Sequence, residues 1–94
     1  MYVAIIEMPL KEEKEEEFKA WIHSTNQVLA KQPGFVARRL AKSEDGKYVI
    51  IVEFLDKESH HKIHQTPEHH KISMELMGFL NGSPARKFYD IISQ

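Results

Sequence analysis

The chain has 94 residues, 13 lysines and arginines against 14 acids, a formal charge of −1 and no cysteine. This is enough for one domain, residues 1–94, near the low end of sizes that build a core without staples. Disulfides, thiolate zinc sites and a cysteine nucleophile are excluded, and a nucleic-acid partner gets no electrostatic support. The short apolar start runs straight into Lys11-Glu12-Glu13-Lys14, without a basic leader or a cleavage-like site, and no run approaches a membrane span. The expectation is a soluble cytoplasmic protein with no membrane partner.

Tyr2 to Met8 reads as a first strand, ended by Pro9. A helix follows from Lys11, its opening glutamates suited to the positive end of the helix dipole and otherwise an ordinary solvated first turn and a half. Phe18, Trp21, Ile22, Val28 and Leu29 fall near one buried stripe, with His23, Asn26 and Gln27 mostly opposite. Gln32-Pro33-Gly34 stops the helix. Phe35 to Lys42 is a second strand, Ser43-Glu44-Asp45-Gly46 a turn, and Lys47 to Leu55 the returning antiparallel strand. Asp56 or Ser59 caps a short helix to about Gln65. Thr66 and Pro67 start another helical piece, to about Leu80. Asn81-Gly82-Ser83-Pro84 breaks it, and Arg86 to Ile92 alternates as a last strand.

The order strand, helix, strand, strand, helix, strand predicts an α+β, ferredoxin-like βαββαβ domain with its helices on one side of an antiparallel sheet. The third strand is apolar on both faces. Tyr48, Ile50, Val52 and Phe54 point one way, Val49, Ile51 and Leu55 the other, with Glu53 the only charge. Helices in so short a chain cover one face, so the other is expected to meet a second copy. Burying ~1,000 Å² of apolar surface there supplies tens of kcal/mol before entropy is charged against it.

Taken together, Met8-Pro9-Leu10-Lys11 leading to Glu15-Glu16-Glu17-Phe18, Gln32-Pro33-Gly34-Phe35, and Val52-Glu53-Phe54-Leu55-Asp56-Lys57 running into a His-rich helix with Thr66-Pro67-Glu68-His69 behind it resemble the antibiotic biosynthesis monooxygenase (ABM) domains of the dimeric α+β barrel superfamily. The resemblance spans essentially the whole chain. It implies a homodimeric barrel joined through the open sheet face, and a hydrophobic pocket between sheet and helices. For the monooxygenase members it implies oxidation of a small aromatic or quinol-like molecule by O2 without metal or flavin. The superfamily also holds non-catalytic ligand-sensing domains, so a small-molecule binding module is the alternative. Ile6, Trp21, Ile63, Met74 and Met77 are the expected pocket residues, with Phe79 beside them, although apolar residues at helical spacing equally make plain core. The haem-degrading members share an asparagine, a tryptophan and a haem-ligating histidine. Ile6, Ile63 and Ser73 stand at those positions, and a small shift bringing His69 or His70 to the ligand position restores neither of the others. No cofactor is expected.

That chemistry asks for a base beside an apolar pocket. His60, His61, His64, His69 and His70 lie within eleven residues. His60 and His64, at i, i+4, share a helix face. Two readings stand for this segment: a metal or haem site at the pocket mouth, or a polar helix surface, since Lys57, Glu58, Lys62 and Lys71 are interspersed. Lacking an acidic third ligand, no metal is assigned. His64, where the two helical pieces meet, is the preferred general base, with an exposed surface histidine as the plainer reading. Glu53, a carboxylate inside an apolar strand, is the second candidate, with a structural pair to Arg38, Arg39 or Arg86 as its alternative. Arg38-Arg39 reads as an exposed strand pair or an anion site.

Overall fold

A computed structural model describes residues 1–94. Its elements in chain order are β1 (Tyr2–Met8), α1 (Glu15–Leu29) entered through a 3-10 turn at Glu12–Lys14, β2 (Phe35–Lys42), β3 (Tyr48–Phe54), α2 (Lys57–His64), α3 (Pro67–Met77) and β4 (Ala85–Asp90). The strands form one antiparallel sheet in the order β2-β3-β1-β4. This is the expected ferredoxin-like α+β arrangement. No helix is long and apolar enough to cross a membrane.

Period-two alternation sorts the sheet into two faces. Tyr48, Ile50, Val52 and Phe54 are buried under the helices, alternating with half-buried Val49, Ile51 and Glu53. In β1, Ala4 pairs with Val52 and Ile5 with Ile51, carrying the same division across the sheet. The core formed with Phe18, Ile22 and Leu29 of α1, Ile63 of α2 and Ile72 and Leu76 of α3 is centred on fully enclosed Phe18. The other face carries Ile5, Val49 and Ile51 with no helix across it. Leu55 falls just past β3 and is exposed, and Ile91 and Ile92 fall just past β4.

Helix boundaries follow the chemistry read from the sequence. Asp56 caps α2 by accepting from the Ser59 amide at 2.7 Å, and Thr66 caps α3 by accepting from the His69 amide at 3.2 Å, with Pro67 in the first turn. One of the opening glutamates of α1 does more than sit in water. Glu15 Oε1 accepts from the Tyr48 hydroxyl at 2.6 Å and pairs with Lys42 at 2.9 Å, tying α1 to β2 and β3. Those hydrogen bonds, Tyr48 first, hold its carboxyl down at about 2.

Gly34 has φ +88°, in the region that favours glycine, and a Cβ there would collide with the Ser59 side chain. This step brings the start of β2 against the first turn of α2, and the Gly34 carbonyl accepts from Leu55 N at 2.9 Å. Gly34→Ala is expected to cost about 2 kcal/mol in chemical denaturation, from backbone conformation and the clash together; an unchanged midpoint contradicts this packing.

Candidate functional site

Between the helical layer and the sheet lies a cavity of about 60 Å³. That is on the order of four times the space one water needs, a scale for a small molecule. Its walls are mainly apolar: Ala4, Ile6, Ile50, Val52 and Phe54 from the sheet, Trp21 and Leu29 from α1, and Ile63, Ile72 and Leu76 from α2 and α3. Into this lining project His60, His64, His69, Ser73, Arg38 and Arg86.

The histidines form a row. His60 and His64 lie one turn apart on α2, their ring centroids 3.9 Å apart, and His69 from the first turn of α3 packs against His64, again at 3.9 Å, each pair of rings tilted. The turn at Gln65-Thr66, fixed by the Thr66 cap, permits this meeting of two helices. His60 is buried among Tyr2, Phe54 and Phe88, with centroids 5.3, 5.0 and 5.2 Å away. Neither of its ring nitrogens has a hydrogen-bond partner. Burial, then the neighbouring His64 and His61, push its pKa down to about 4. His69 is likewise pushed down to about 4, by burial first and then by His64 and His60 and the two arginines.

His64 holds the middle of the row; it is an exposed residue, as the plainer reading had it, and it lines the cavity as well. Its Nδ1 lies 2.9 Å from the His60 carbonyl oxygen. A carbonyl only accepts, so the proton resides on Nδ1 and the lone pair on Nε2. Burial of the ring also lowers its pKa, opposed by that hydrogen bond. The row is therefore neutral at physiological pH, with one imidazole tautomer fixed.

Arg38 is 8% exposed. It stands opposite Val52 in the β2–β3 ladder and so faces the helices. Its guanidinium lies 5.4 Å from the Trp21 ring centre. Nε donates to Asn26 Oδ1 at 2.6 Å, and Nη2 donates to the Ile22 carbonyl at 3.2 Å and to Thr25 Oγ1. Burial draws its pKa down to about 10, which leaves it charged. Trp21 in turn donates from Nε1 to Glu75 Oε1 at 2.9 Å, bridging α1 and α3 beside the cavity.

Of the residues expected at the site, Ile6, Trp21, Ile63 and His64 line this cavity together. The others lie elsewhere. Glu53 shares the open face with Val49 and Ile51, and its carboxylate meets Arg39 at 2.6 Å; the sheet separates it from the cavity. Met74 and Met77 are 65% and 49% exposed, because α3 turns Ile72 and Leu76, four residues apart, inward instead. Phe79 packs on Phe18 and Trp21 without lining the cavity. Arg38 and Arg39 are not an exposed pair: strand alternation buries the first and exposes the second. Asn26, read as part of the polar face of α1, turns inward to Arg38. His61 and His70 are exposed, and no three His, Cys, Asp or Glu residues are grouped to hold a metal ion. The three positions compared with haem degraders, Ile6, Ile63 and Ser73, all face the cavity. They offer it two alkyl groups and a hydroxyl, so the lining does not fit a haem bound in the manner of those relatives.

Several solved structures share this architecture. SnoaB from Streptomyces nogalater, a cofactor-independent oxygenase, superposes with a TM-score of 0.84 over 99% of this chain and 94% of its own, at 18% identity. A Nitrosomonas europaea protein carrying the name antibiotic biosynthesis monooxygenase gives 0.81 over 99% and 100%, at 17% identity. Rv0793 from Mycobacterium tuberculosis gives 0.79 over 100% and 98%, at 14% identity. At these identities the likeness is one of fold. Among curated proteins none matches the chain. The family assignment comes from the sequence itself: the profile described as antibiotic biosynthesis monooxygenase matches residues 1–74, a span that takes in β1 to β3, the whole histidine row and α3 as far as Met74, so this chain belongs to that family.

Proposed function

We propose that the protein is a cofactor-independent monooxygenase that oxidises a small aromatic or quinol-like substrate with O2 in the cavity between sheet and helices. The observation that carries the reading is His64, neutral, with Nδ1 committed to the His60 carbonyl and Nε2 left as a base at an apolar cavity. Nε2 takes a proton from an activated CH2 or ring hydroxyl of the substrate. The resulting anion is electron-rich enough to reduce O2 directly. For a CH2 centre the balance is CH2 + O2 giving C=O + H2O, one oxygen atom entering the product and the other leaving as water. The apolar walls keep water from the anion and the peroxidic species that follows it. The fold of SnoaB, a cofactor-independent oxygenase, supports the reading.

The working unit in this proposal is a homodimer joined through the open sheet face, where Ile5, Val49 and Ile51 lack a cover. Native mass spectrometry is expected to give twice the chain mass; a stable monomer contradicts this part.

Oxygen uptake tests the chemistry. Substrate-dependent uptake with anthrones, naphthols or quinols is expected to persist in EDTA; uptake that disappears on chelation contradicts the cofactor-free reading. Saturable binding without turnover across these compounds assigns the cavity to a binding module instead. Glu53→Gln is expected to change the uptake rate by no more than about twofold, because Glu53 lies behind the sheet. A loss beyond tenfold returns that carboxylate to the mechanism.

A further inference from the structure

Arg38 is a buried cation without an anion. The chain's ion pairs all lie elsewhere, and Glu53, the acid opposite the neighbouring Ala37 in the ladder, is engaged by Arg39. Its partners are an amide oxygen, a hydroxyl and a main-chain carbonyl, none of them charged. Those bonds occupy Nε and Nη2. The guanidinium carries five N–H donors, and the two on Nη1 have no acceptor within the chain. The cavity beside it contains no aspartate or glutamate, and adds a second arginine, Arg86, at its edge. Removing a charge from water without a counter-charge is costly, and the residues around Arg38 orient it without neutralising it.

A second observation points the same way. His60 is 7% exposed, faces the same cavity, and leaves both ring nitrogens unpartnered. A buried polar group with no partner calls for one from outside the chain. Trp21 supplies an aromatic face next to the guanidinium.

We propose that the cavity takes its ligand as an aromatic oxyanion, a carboxylate or ionised phenol on a small aromatic ring system, whose oxygen accepts from Nη1 of Arg38 while the ring packs beside Trp21 and His60. The inference rests on the reading of this cavity as the substrate site. It also gives the proton removed by His64 a consequence, since an oxyanion formed there meets a fixed positive charge.

The test is binding to the intact protein without oxygen, followed by fluorescence of Trp21, the chain's single tryptophan, and by absorbance. Benzoate is compared with benzamide, and para-nitrophenol is titrated with pH in the presence and absence of protein. Benzoate is expected to bind at least about tenfold more tightly than benzamide, or bound para-nitrophenol to ionise at least about one pH unit lower than free. The first result alone identifies a carboxylate site, and the second alone a phenolate site. Arg38→Met is expected to abolish the preference and Arg38→Lys to keep part of it, with circular dichroism checking that each folds. Equal or tighter binding of the neutral forms by the unaltered protein overturns the proposal, as does the absence of saturable binding by all these probes. Anion preference without oxygen uptake on any substrate leaves this inference standing and removes the oxygenase reading. Uptake confined to substrates that bind without an anionic oxygen does the reverse.

Discussion

His64→Ala is expected to lower kcat for oxygen uptake by about 10²–10⁴-fold, the range over which a positioned general base acts. The ring lines the cavity, and Nε2 is the nitrogen that the His60 carbonyl leaves free. Substrate binding, read from Trp21 fluorescence, is expected to change far less, because the apolar walls remain. Since His64 is an exposed residue, added imidazole can enter the vacated space and is expected to restore part of the rate. The pH profile carries a further signature. Only the neutral ring accepts a proton, and burial lowers the His64 pKa from its ordinary 6.5. Activity is therefore expected to hold from neutral pH to below 6.5 before falling in acid. A loss smaller than tenfold in His64→Ala, with no imidazole rescue, assigns the proton transfer to another group.

The second large effect is acid lability. His60 has a folded-state pKa near 4 against 6.5 when unfolded. Between those values the unfolded chain binds more protons, so stability falls as pH falls through this window. For His60 alone the loss by pH 4 is on the order of 3 kcal/mol. His69, also near 4, adds to it through the same row. The titratable groups around His60 are His61 and His64 on its own helix, Lys57 further along it, Tyr2 of β1 and His69 of α3; none of them is a carboxylate that would favour the protonated ring. Melting temperature is expected to drop steeply from pH 6.5 to 4. His60→Leu is expected to flatten that slope and raise stability near neutrality, because it removes two unsatisfied buried nitrogens at similar volume. A variant with the parent's slope shows that the acid transition originates elsewhere. The orphan nitrogens then make sense as a cost retained for ligand binding rather than for folding.

Much of this fold was legible because its signals are local. Asp56 and Thr66 are caps, Pro33-Gly34 a stop, and Asp45-Gly46 a hairpin turn, and each acts in the structure where the chain places it. The site was less legible because its residues converge from all four strands and all three helices. Glu53 illustrates the difficulty. An isolated carboxylate in an apolar strand suggests a perturbed base, yet the period-two rule already groups it with Val49 and Ile51, away from the helices. Met74 and Met77 have the right character for a pocket but the wrong phase, since Ile72 and Leu76 set the inward face of α3. Arg38 was hidden for a different reason. Two adjacent arginines in a strand suggest solvent, and the bulge between Phe35 and Ala37 disturbs the parity by which Phe35 would have located the inner face. Leu40, two residues on, retained that signal. The contact between His64 and His69 depends on the angle between α2 and α3, which no spacing in the chain specifies.

The measurement that bears most directly on the central claim is a turnover of an anthrone or quinol under isotopically labelled dioxygen, with protein stripped of metal by chelation. The account predicts product carrying one labelled oxygen atom, the second label appearing in water, and O2 consumed in equal amount to substrate. Unlabelled product, two labels in the product, or turnover restored only by adding a metal would contradict it.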